Sequence, residues 1–229
     1  PMCRFGRRNG KIDEKIAHSL GMPMDKTVYI FDIDDTLYLE RDYVKSGFEA
    51  IGQATQCAAF GDACWELFCQ GVRGNTFDLA RRDFAHLDLP PTPALVDIYR
   101  SHRPNIALCD DARRFIEAQR EPMGIISDGP IRAQRAKYQA LGLAIWIDFP
   151  IFTAEIGAPK PNPQAFKIAA LALGAPLVHS VYVADNPAKD FEGAICSGIE
   201  PIRMRRHQSL HARCDTPRGI REITSFDEL

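Results

Sequence analysis

The sequence lacks the features that would place it in several common functional classes. Its seven cysteines form no C-x-x-C pair, and none of its six histidines lies in an H-E-x-x-H pattern, so these zinc and redox signatures are missing. No stretch is long and apolar enough to span a bilayer, so no membrane partner is expected. A net charge of −2 leaves no nucleic-acid footprint. The sequence therefore predicts none of the zinc, redox, membrane or nucleic-acid-binding functions that these signatures accompany.

The remaining composition is that of an ordinary soluble protein. The chain has 229 residues, of which 45% are hydrophobic and 25% charged, so it can form one large domain or a core with an insert. The odd number of scattered cysteines is typical of buried thiols in a reduced protein. His207 and His211 have the spacing of metal ligands, but we interpret them as surface residues. We expect a cytoplasmic protein, either a monomer or a homodimer.

The hydrophobic pattern predicts an α/β protein. A β-branched and aromatic run at 27–31 predicts a first strand, and the stretch 41–103 has only helical spacing, which predicts an all-helical insert. Strands then alternate with helices, which predicts a Rossmann-like, three-layer core with a parallel sheet covered on both faces. Four later strands are predicted at 123–126, 151–153, 180–184 and 199–204. The predicted divisions are an N-terminal extension (1–26), a core (27–40 and 104–229) and a helical insert (41–103).

Polar side chains follow the predicted strands where those strands end. Asp32 and Asp34 come directly after the first strand at i and i+2, so they would share one strand face if the pattern continued. Ser127 follows the second strand, and Asp185 and Asp190 follow a later one. Ligands bind outside the carboxyl ends of strands in open α/β sheets. The sequence therefore predicts that these residues form one site.

Such a site needs positive charge. Two unit charges ~4 Å apart interact by about 4 kcal/mol at an effective dielectric constant of ~20, so several carboxylates in one crevice repel strongly. Mg²⁺ suits an oxygen-rich site with open positions, and Lys160 adds a fixed cation. Ser127 adds a hydroxyl, and the helices that begin after Asp128 and Asn186 present free N–H groups to an anion. Together these groups predict a phosphoryl site.

Four segments carry a family resemblance. They are Asp32-Ile33-Asp34-Asp35-Thr36, Ser127 after Gly124-Ile125-Ile126, Lys160 within 157–163, and Asp185-Asn186-Pro187-Ala188-Lys189-Asp190. In this order, each at a strand end, they resemble the four motifs of the haloacid dehalogenase-like (HAD) superfamily in its phosphatase branch. The resemblance spans 27–204 except the insert, which is similar to the family's helical C1-type caps.

The resemblance implies a role for each matching residue. Asp32 would be the nucleophile that forms an aspartyl-phosphate, Asp34 the general acid and base, and Lys160 the group that neutralises charge on Asp32 and on the phosphoryl oxygens. Because Asp34 must first donate a proton, we expect a raised pKa for it. The implied phosphate-binding set is Asp35, Thr36, Ser127, Asp128 and Lys160. The implied Mg²⁺ ligands are Asp32, Asp185 and the backbone carbonyl of Asp34, with Asp190 and Asn186 as their supports.

The sequence leaves the substrate and two alternative functions open. The resemblance implies a small phosphorylated metabolite as the partner, either a nucleotide or a sugar phosphate. The segment 31–38 is similar to that of pyrimidine 5′-nucleotidases. A sugar phosphomutase would keep both Asp32 and Asp34, so the motifs do not separate it from a phosphatase. A non-catalytic phosphate-binding module would be expected to have a damaged motif, and every motif is intact.

Overall fold

The computed structural model describes residues 27–147 and 149–229, and its centre is a six-stranded, all-parallel sheet. The strand order is β3-β2-β1-β4-β5-β6, so the first strand lies in the middle of the sheet. The strands are β1 (Val28–Phe31), β2 (Met123–Ser127), β3 (Phe149–Phe152), β4 (Ser180–Ala184), β5 (Glu200–Met204) and β6 (Arg221–Ile223). The predicted α/β fold is confirmed. The N-terminal extension lies outside the described residues.

Helices connect the strands in the predicted alternation. The first four cover the predicted insert: α1 (Glu40–Ala54), α2 (Ala58–Cys69), α3 (Thr76–Ala80) and α4 (Thr92–Ser101). The others are α5 (Asp110–Ala118), α6 (Ile131–Ala140), α7 (Thr153–Ile156), α8 (Gln164–Ala172) and α9 (Phe191–Ser197). Within the described ranges, no helix is long and apolar enough to cross a membrane. The division of the chain into core and insert stays a prediction.

Apolar side chains are buried on both faces of the sheet. One cluster includes Phe31, Leu108 and Ile125, and a second on the opposite face includes Ile30, Phe166 and Tyr182. Strands buried on both faces read as continuous apolar runs, which is why β1, β2 and β4 could be recognised in the sequence. A third cluster lies entirely within the four helices α1–α4. The helices α1–α4 thus have their own apolar core.

Two expectations differ from the structure. The strand β6 was not predicted, because it has only three residues and two of them, Arg221 and Glu222, are charged. Buried thiols were expected, but Cys64 is buried whereas Cys69 and Cys196 are exposed. Cys69 and Cys196 belong to helices whose other faces are packed, so an apolar neighbourhood in the sequence does not bury them.

Close packing of α9 fixes the loop that contains Lys160. A Cβ atom added to Gly193 would lie 2.4 Å from the carbonyl oxygen of Pro161 and 2.6 Å from the Phe166 ring. Only glycine allows this approach. At the start of α8, the side-chain oxygen of Asn162 accepts from the N–H of Gln164 at 2.9 Å. These contacts hold the Lys160 backbone below the carboxyl end of β4.

Candidate active site

The carboxyl ends of three neighbouring strands bring the predicted residues together. Asp32 follows β1, Ser127 ends β2 and Asp185 follows β4, and β1 pairs with both β2 and β4. The N–H of Asp32 continues the sheet by donating to the Val183 carbonyl at 3.0 Å. A cavity of about 340 Å³ opens above these strand ends, and Asp32, Asp34 and Asp185 all line it.

Lys160 lies directly beside the predicted nucleophile. Its Nζ is 2.7 Å from Asp32 Oδ1, 2.7 Å from Asp190 Oδ1 and 3.0 Å from the Tyr182 hydroxyl. Burial acts to lower the pKa of Lys160, but the charges of Asp190 and Asp32 outweigh it, so this pKa is raised well above its ordinary value. The side chain is therefore a permanent cation under the site.

Three carboxylates meet in one place. Oxygens of Asp32, Asp185 and Asp190 lie within 4.8 Å of one another, and Asp185 Oδ2 is buried with no hydrogen-bond partner among the described residues. Burial, followed by the charges of Asp32 and Asp190, raises the pKa of Asp185 to about 10. Burial also raises the pKa of Asp32 to about 6, although Lys160 opposes the shift. An added cation would relieve this repulsion.

Asp34 is surrounded by donors, which contradicts the expected raised pKa. Lys137 Nζ lies 2.6 Å and 2.8 Å from its two oxygens, Gln134 donates at 3.1 Å, and the Tyr38 hydroxyl also donates to it. Burial acts to raise the pKa of Asp34, but the Lys137 charge and these hydrogen bonds outweigh it, so the pKa is lowered. Without a bound substrate, Asp34 is a carboxylate.

Ser127 and Asp128 hold the second strand end and the neighbouring loops. The Ser127 hydroxyl donates to Gln134 Oε1 at 3.0 Å. Asp128 Oδ1 accepts from the Thr153 hydroxyl at 2.6 Å and from the Lys160 N–H at 3.2 Å. The Asp128 carboxylate thus connects the start of α7 with the loop that contains Lys160.

Asp35 and Thr36 are buried below the site. The Asp35 carboxylate accepts from the N–H of Glu40 at 2.9 Å and from the N–H of Leu210 at 2.7 Å, and its backbone is left-handed, with φ of 53°. Thr36 is fully buried, and its hydroxyl has no partner among the described residues. The phosphate contacts implied for Asp35 and Thr36 stay predictions.

Replacing Asp35 by alanine is expected to reduce stability by about 2–4 kcal/mol near pH 4. The change removes two hydrogen bonds to part-buried N–H groups and puts a Cβ without a polar group in the left-handed region. Burial raises the pKa of Asp35 to about 6, so its charge costs stability as the pH rises, and the loss should be smaller at pH 7. The free energy of unfolding from urea denaturation measures the loss, with Asp62→Ala on the exposed face of α2 as the control. Equal stability of the two variants would show that Asp35 does not hold these segments.

Several residues around the cavity were missed by the sequence analysis. Lys137 and Gln134 lie on α6, where one lysine or glutamine among many carries no signal. Glu40 begins α1, and burial together with the charge of Asp34 raises its pKa to about 8, against the opposing charge of Lys137. His211 was interpreted as a surface residue, but it is half-buried and lines the cavity. Only tertiary contacts place these four residues near the carboxylates.

Asn186 also lines the cavity, and Asp190 closes its turn. The Asn186 N–H donates to Asp190 Oδ2 at 2.8 Å, and Asn186 Oδ1 accepts from the N–H of Ala188 at 3.0 Å. Asp190 therefore contacts both this turn and Lys160. The supporting role that the motif predicted for Asp190 and Asn186 stays a prediction.

Comparison with solved structures shows the same fold in other proteins. A magnesium-bound HAD hydrolase of Bacillus subtilis superposes with a TM-score of 0.64 at 17% identity, over 89% of this chain and 96% of that chain. A HAD phosphatase of Thermococcus onnurineus gives a TM-score of 0.56 at 24% identity, over 89% and 95%. At these identities the likeness concerns the fold.

Curated relatives carry phosphatase names. The match to phosphoserine phosphatase of Thermus thermophilus has 30% identity over 115 residues and spans 46% of that protein's length. Glyceraldehyde 3-phosphate phosphatase of Methanopyrus kandleri matches at 35% over 95 residues, 41% of its length. Ribulose-1,5-bisphosphate 5-phosphatase of Halopiger xanaduensis matches at 26% over 199 residues, 77% of this chain and 83% of its own. The chain thus spans less than half the length of the first two.

A family model agrees with both sets of relatives. Residues 26–198 match the model described as haloacid dehalogenase-like hydrolase, which is well over half of the chain. The matched region contains Asp32, Ser127, Lys160 and Asp185, the four motif residues of the candidate site. This chain belongs to the haloacid dehalogenase-like hydrolase family.

Proposed function

We propose that the chain is a Mg²⁺-dependent phosphatase that hydrolyses a small phosphomonoester through an aspartyl-phosphate on Asp32. The observation that carries this proposal is the convergence of Asp32, Lys160 and Asp185 below one cavity, with Asp34 at its wall. The phosphatase names of three curated relatives support the same reaction class.

The charges around Asp32 suit a carboxylate that attacks an anion. A carboxylate approaching a phosphate dianion is repelled unless nearby cations offset both charges. Lys160 supplies one such charge at 2.7 Å from Asp32 Oδ1. In the first step an Asp32 oxygen bonds to phosphorus while the bond between phosphorus and the leaving oxygen breaks. A water molecule then attacks the phosphorus and releases phosphate, which regenerates Asp32.

Asp34 would move the proton in both steps. It would donate a proton to the leaving oxygen and later accept one from the attacking water. Its pKa is lowered in the substrate-free protein, so it begins as a carboxylate. A phosphate dianion bound between Asp32 and Asp34 adds negative charge next to Asp34, which favours its protonated form. The substrate itself would then prepare Asp34 as the acid.

The carboxylates fit a bound Mg²⁺. Asp185 Oδ2 is buried and without a partner among the described residues, and hard oxygen atoms are the ligands that Mg²⁺ prefers. Both oxygens of Asp190 are engaged, one by Lys160 and one by the N–H of Asn186, whereas Lys160 contacts Asp32 through Oδ1 alone. Asp32, Asp185 and the backbone carbonyl of Asp34 are therefore the proposed ligands. When bound, Mg²⁺ would offset the charge of these carboxylates and of the phosphoryl oxygens.

The helices α1–α4 would act as a cap over the cavity and select the substrate. Tyr43, Tyr99 and Arg100 from these helices line the cavity opposite the catalytic groups, and Arg100 is exposed. Closure of such helices over a phosphate ester would exclude water and strengthen the electrostatic interactions inside. The proposed substrate is a small phosphorylated metabolite, with sugar phosphates and nucleotides both to be screened.

Hydrolysis assays test the proposed function. Purified protein is incubated with a panel of phosphomonoesters in the presence of Mg²⁺, and release of inorganic phosphate is measured before and after EDTA. We expect hydrolysis that EDTA abolishes and added Mg²⁺ restores. No phosphate release from any ester in the panel, or release that EDTA leaves unchanged, would contradict the proposal. Transfer of phosphate between sugar positions without release would instead identify a phosphomutase.

Replacing Lys137 by glutamine is expected to shift the basic limb of the pH profile of kcat/KM to higher pH. Without the ammonium 2.6 Å away, the pKa of Asp34 rises, and its acid form persists to higher pH. An alkyl phosphate is the substrate of choice, because its leaving oxygen needs a proton. Lys137→Arg keeps the positive charge, so its basic limb should stay at the pH seen for the wild type. If both variants give the wild-type profile, Lys137 does not set the acidity of Asp34.

A further inference from the structure

A second cleft lies between the helices α1–α2 and the chain segment after β5, apart from the catalytic cavity. It has a volume of about 1080 Å³, and its walls include four arginines, Arg41, Arg73, Arg205 and Arg213, together with His207. No aspartate or glutamate is among its lining residues. We call it the basic cleft.

We propose that the basic cleft binds a small molecule carrying two or more phosphate groups, at a site separate from the catalytic cavity. Arginine guanidinium groups stay charged and match phosphate oxygens with paired N–H donors. Arg41 and Arg73 come from the helical wall, whereas Arg205 and Arg213 come from the opposite wall. Four guanidinium groups carry more positive charge than one phosphate group can offset, so the arrangement favours a ligand with several phosphates.

Some arginine side chains of the basic cleft are held by contacts within the protein, and another is free to bind a ligand. Arg41 Nη1 donates to Gln208 Oε1 at 3.0 Å, which joins the two walls, and Arg73 stacks on the Phe68 ring at 3.8 Å. Arg213 is exposed and has no hydrogen-bond or ion-pair partner among the described residues. Positive charges held together without counter-charges repel one another, and an anionic ligand would remove that repulsion.

One neighbouring carboxylate limits the charge of the cleft. Glu222 lies behind the cleft, and its Oε2 is 3.2 Å from Arg205 Nε. Glu222 is not among the lining residues, so it orients Arg205 from behind without occupying the cleft. Arg205 also donates to the Cys214 carbonyl at 2.7 Å. Its guanidinium is therefore fixed in place, as a recognition group should be.

The cleft is built into the fold at the base of the catalytic loop. Asp35, next to Asp34, binds the N–H of Glu40 on the helical wall and the N–H of Leu210 on the opposite wall. Arg206 donates to the carbonyl of Thr36 at 2.7 Å from the same wall. Both walls thus contact one loop, which connects the basic cleft to the segment that contains Asp34.

A small ligand is favoured over a nucleic acid by the shape and chemistry of the cleft. It is a bounded concavity between two chain segments, whereas a nucleic-acid surface has a basic stripe with aromatic faces for stacking. Phe68 is the aromatic residue of the lining, and Arg73 covers its ring. A base would have to displace that arginine before it could stack.

Calorimetric titration with inorganic tripolyphosphate tests the proposal, with EDTA present so that the catalytic carboxylates remain without metal. The expected result for the full chain at low ionic strength is binding of one tripolyphosphate, weakened by added NaCl. The double variant Arg41→Gln/Arg213→Gln should bind at least about tenfold more weakly, because it loses one charged contact from each wall. Arg82→Gln, which removes an exposed charge from the turn after α3, should bind like the wild type.

Three results would overturn the proposal. They are no binding by the wild type up to millimolar tripolyphosphate, equal binding by the double variant, or tighter binding of a single-stranded oligonucleotide that displaces tripolyphosphate. Thermal unfolding of each variant verifies that it is folded, so a loss of binding is not a loss of structure. The titration involves neither Mg²⁺ nor turnover, so its result is independent of whether the catalytic cavity hydrolyses phosphate esters.

Discussion

Replacing Asp32 by asparagine will reduce kcat by at least about 10⁴-fold, because the amide cannot act as the nucleophile. The substitution keeps the shape of the side chain and an oxygen that can accept from Lys160, which lies 2.7 Å from Asp32 Oδ1. It also removes one of three crowded carboxylates, so the variant should fold at least as well as the wild type. Initial rates with the best ester from the panel measure the effect.

The matched control for this experiment is Asp62→Asn, an identical chemical change on the exposed face of α2. It should leave kcat and KM unchanged. If Asp32→Asn retains more than a few per cent of the wild-type rate, water attacks the phosphate directly and Asp32 has another role. A loss of rate together with a loss of folding would be visible in thermal unfolding and would be separated from a chemical effect in that way.

Replacing Asp185 by asparagine is expected to stabilise the metal-free protein by about 2–4 kcal/mol at pH 7. The pKa of Asp185 is about 10 in the folded protein, against an ordinary value of 3.8. The folded state therefore holds a proton that the unfolded chain has released, so stability falls as the pH rises from about 4 to about 10. Each unit between 3.8 and 7 costs up to about 1.4 kcal/mol, and asparagine removes this cost.

Unfolding in urea, in EDTA and at several pH values, measures this second effect. The two proteins should become similar near pH 4 and diverge as the pH rises. Added Mg²⁺ should raise the Tm of the wild type and have much less effect on Asp185→Asn. Asp128→Asn is the control, and it should reduce the free energy of unfolding above pH 4. The pKa of Asp128 is lowered, so its charge stabilises the fold in that range. A metal-free Asp185→Asn less stable than the wild type at pH 8 would contradict the description of the site.

The central strands could be predicted because each buried strand is a run of consecutive apolar residues. The run Val28–Phe31 is apolar since both faces of a parallel sheet are covered, and the polar residues that follow it mark the strand end. β6 at Arg221–Ile223 could not be predicted, because a three-residue edge strand has one covered face and charged neighbours. Its place in the sheet depends on β5, which no local pattern encodes.

The candidate site, too, has features that could be predicted from the sequence and features that could not. Asp32 and Asp185 could be predicted as site residues because each directly follows a strand, and Lys160 because its segment matches the third motif, although α7 separates it from the end of β3. The electrostatic state of Asp34 could not, because its dominant partner, Lys137, lies 103 residues away on α6. Nothing in the local sequence distinguishes that lysine from an exposed one. The expected raised pKa of Asp34 was wrong for this reason, since it was inferred from the role of Asp34 as a proton donor and did not include an ammonium supplied by the fold.

Rapid-quench trapping of the phosphorylated protein tests the proposed mechanism most directly. The enzyme is mixed with a ³²P-labelled ester, quenched in acid within one turnover and digested, and the labelled peptide is identified. We predict label on the peptide that contains Asp32, lost on treatment with hydroxylamine, as an acyl phosphate is, and absent from Asp32→Asn. Label on a different residue, or a burst of free phosphate with no labelled protein at any time, would contradict it.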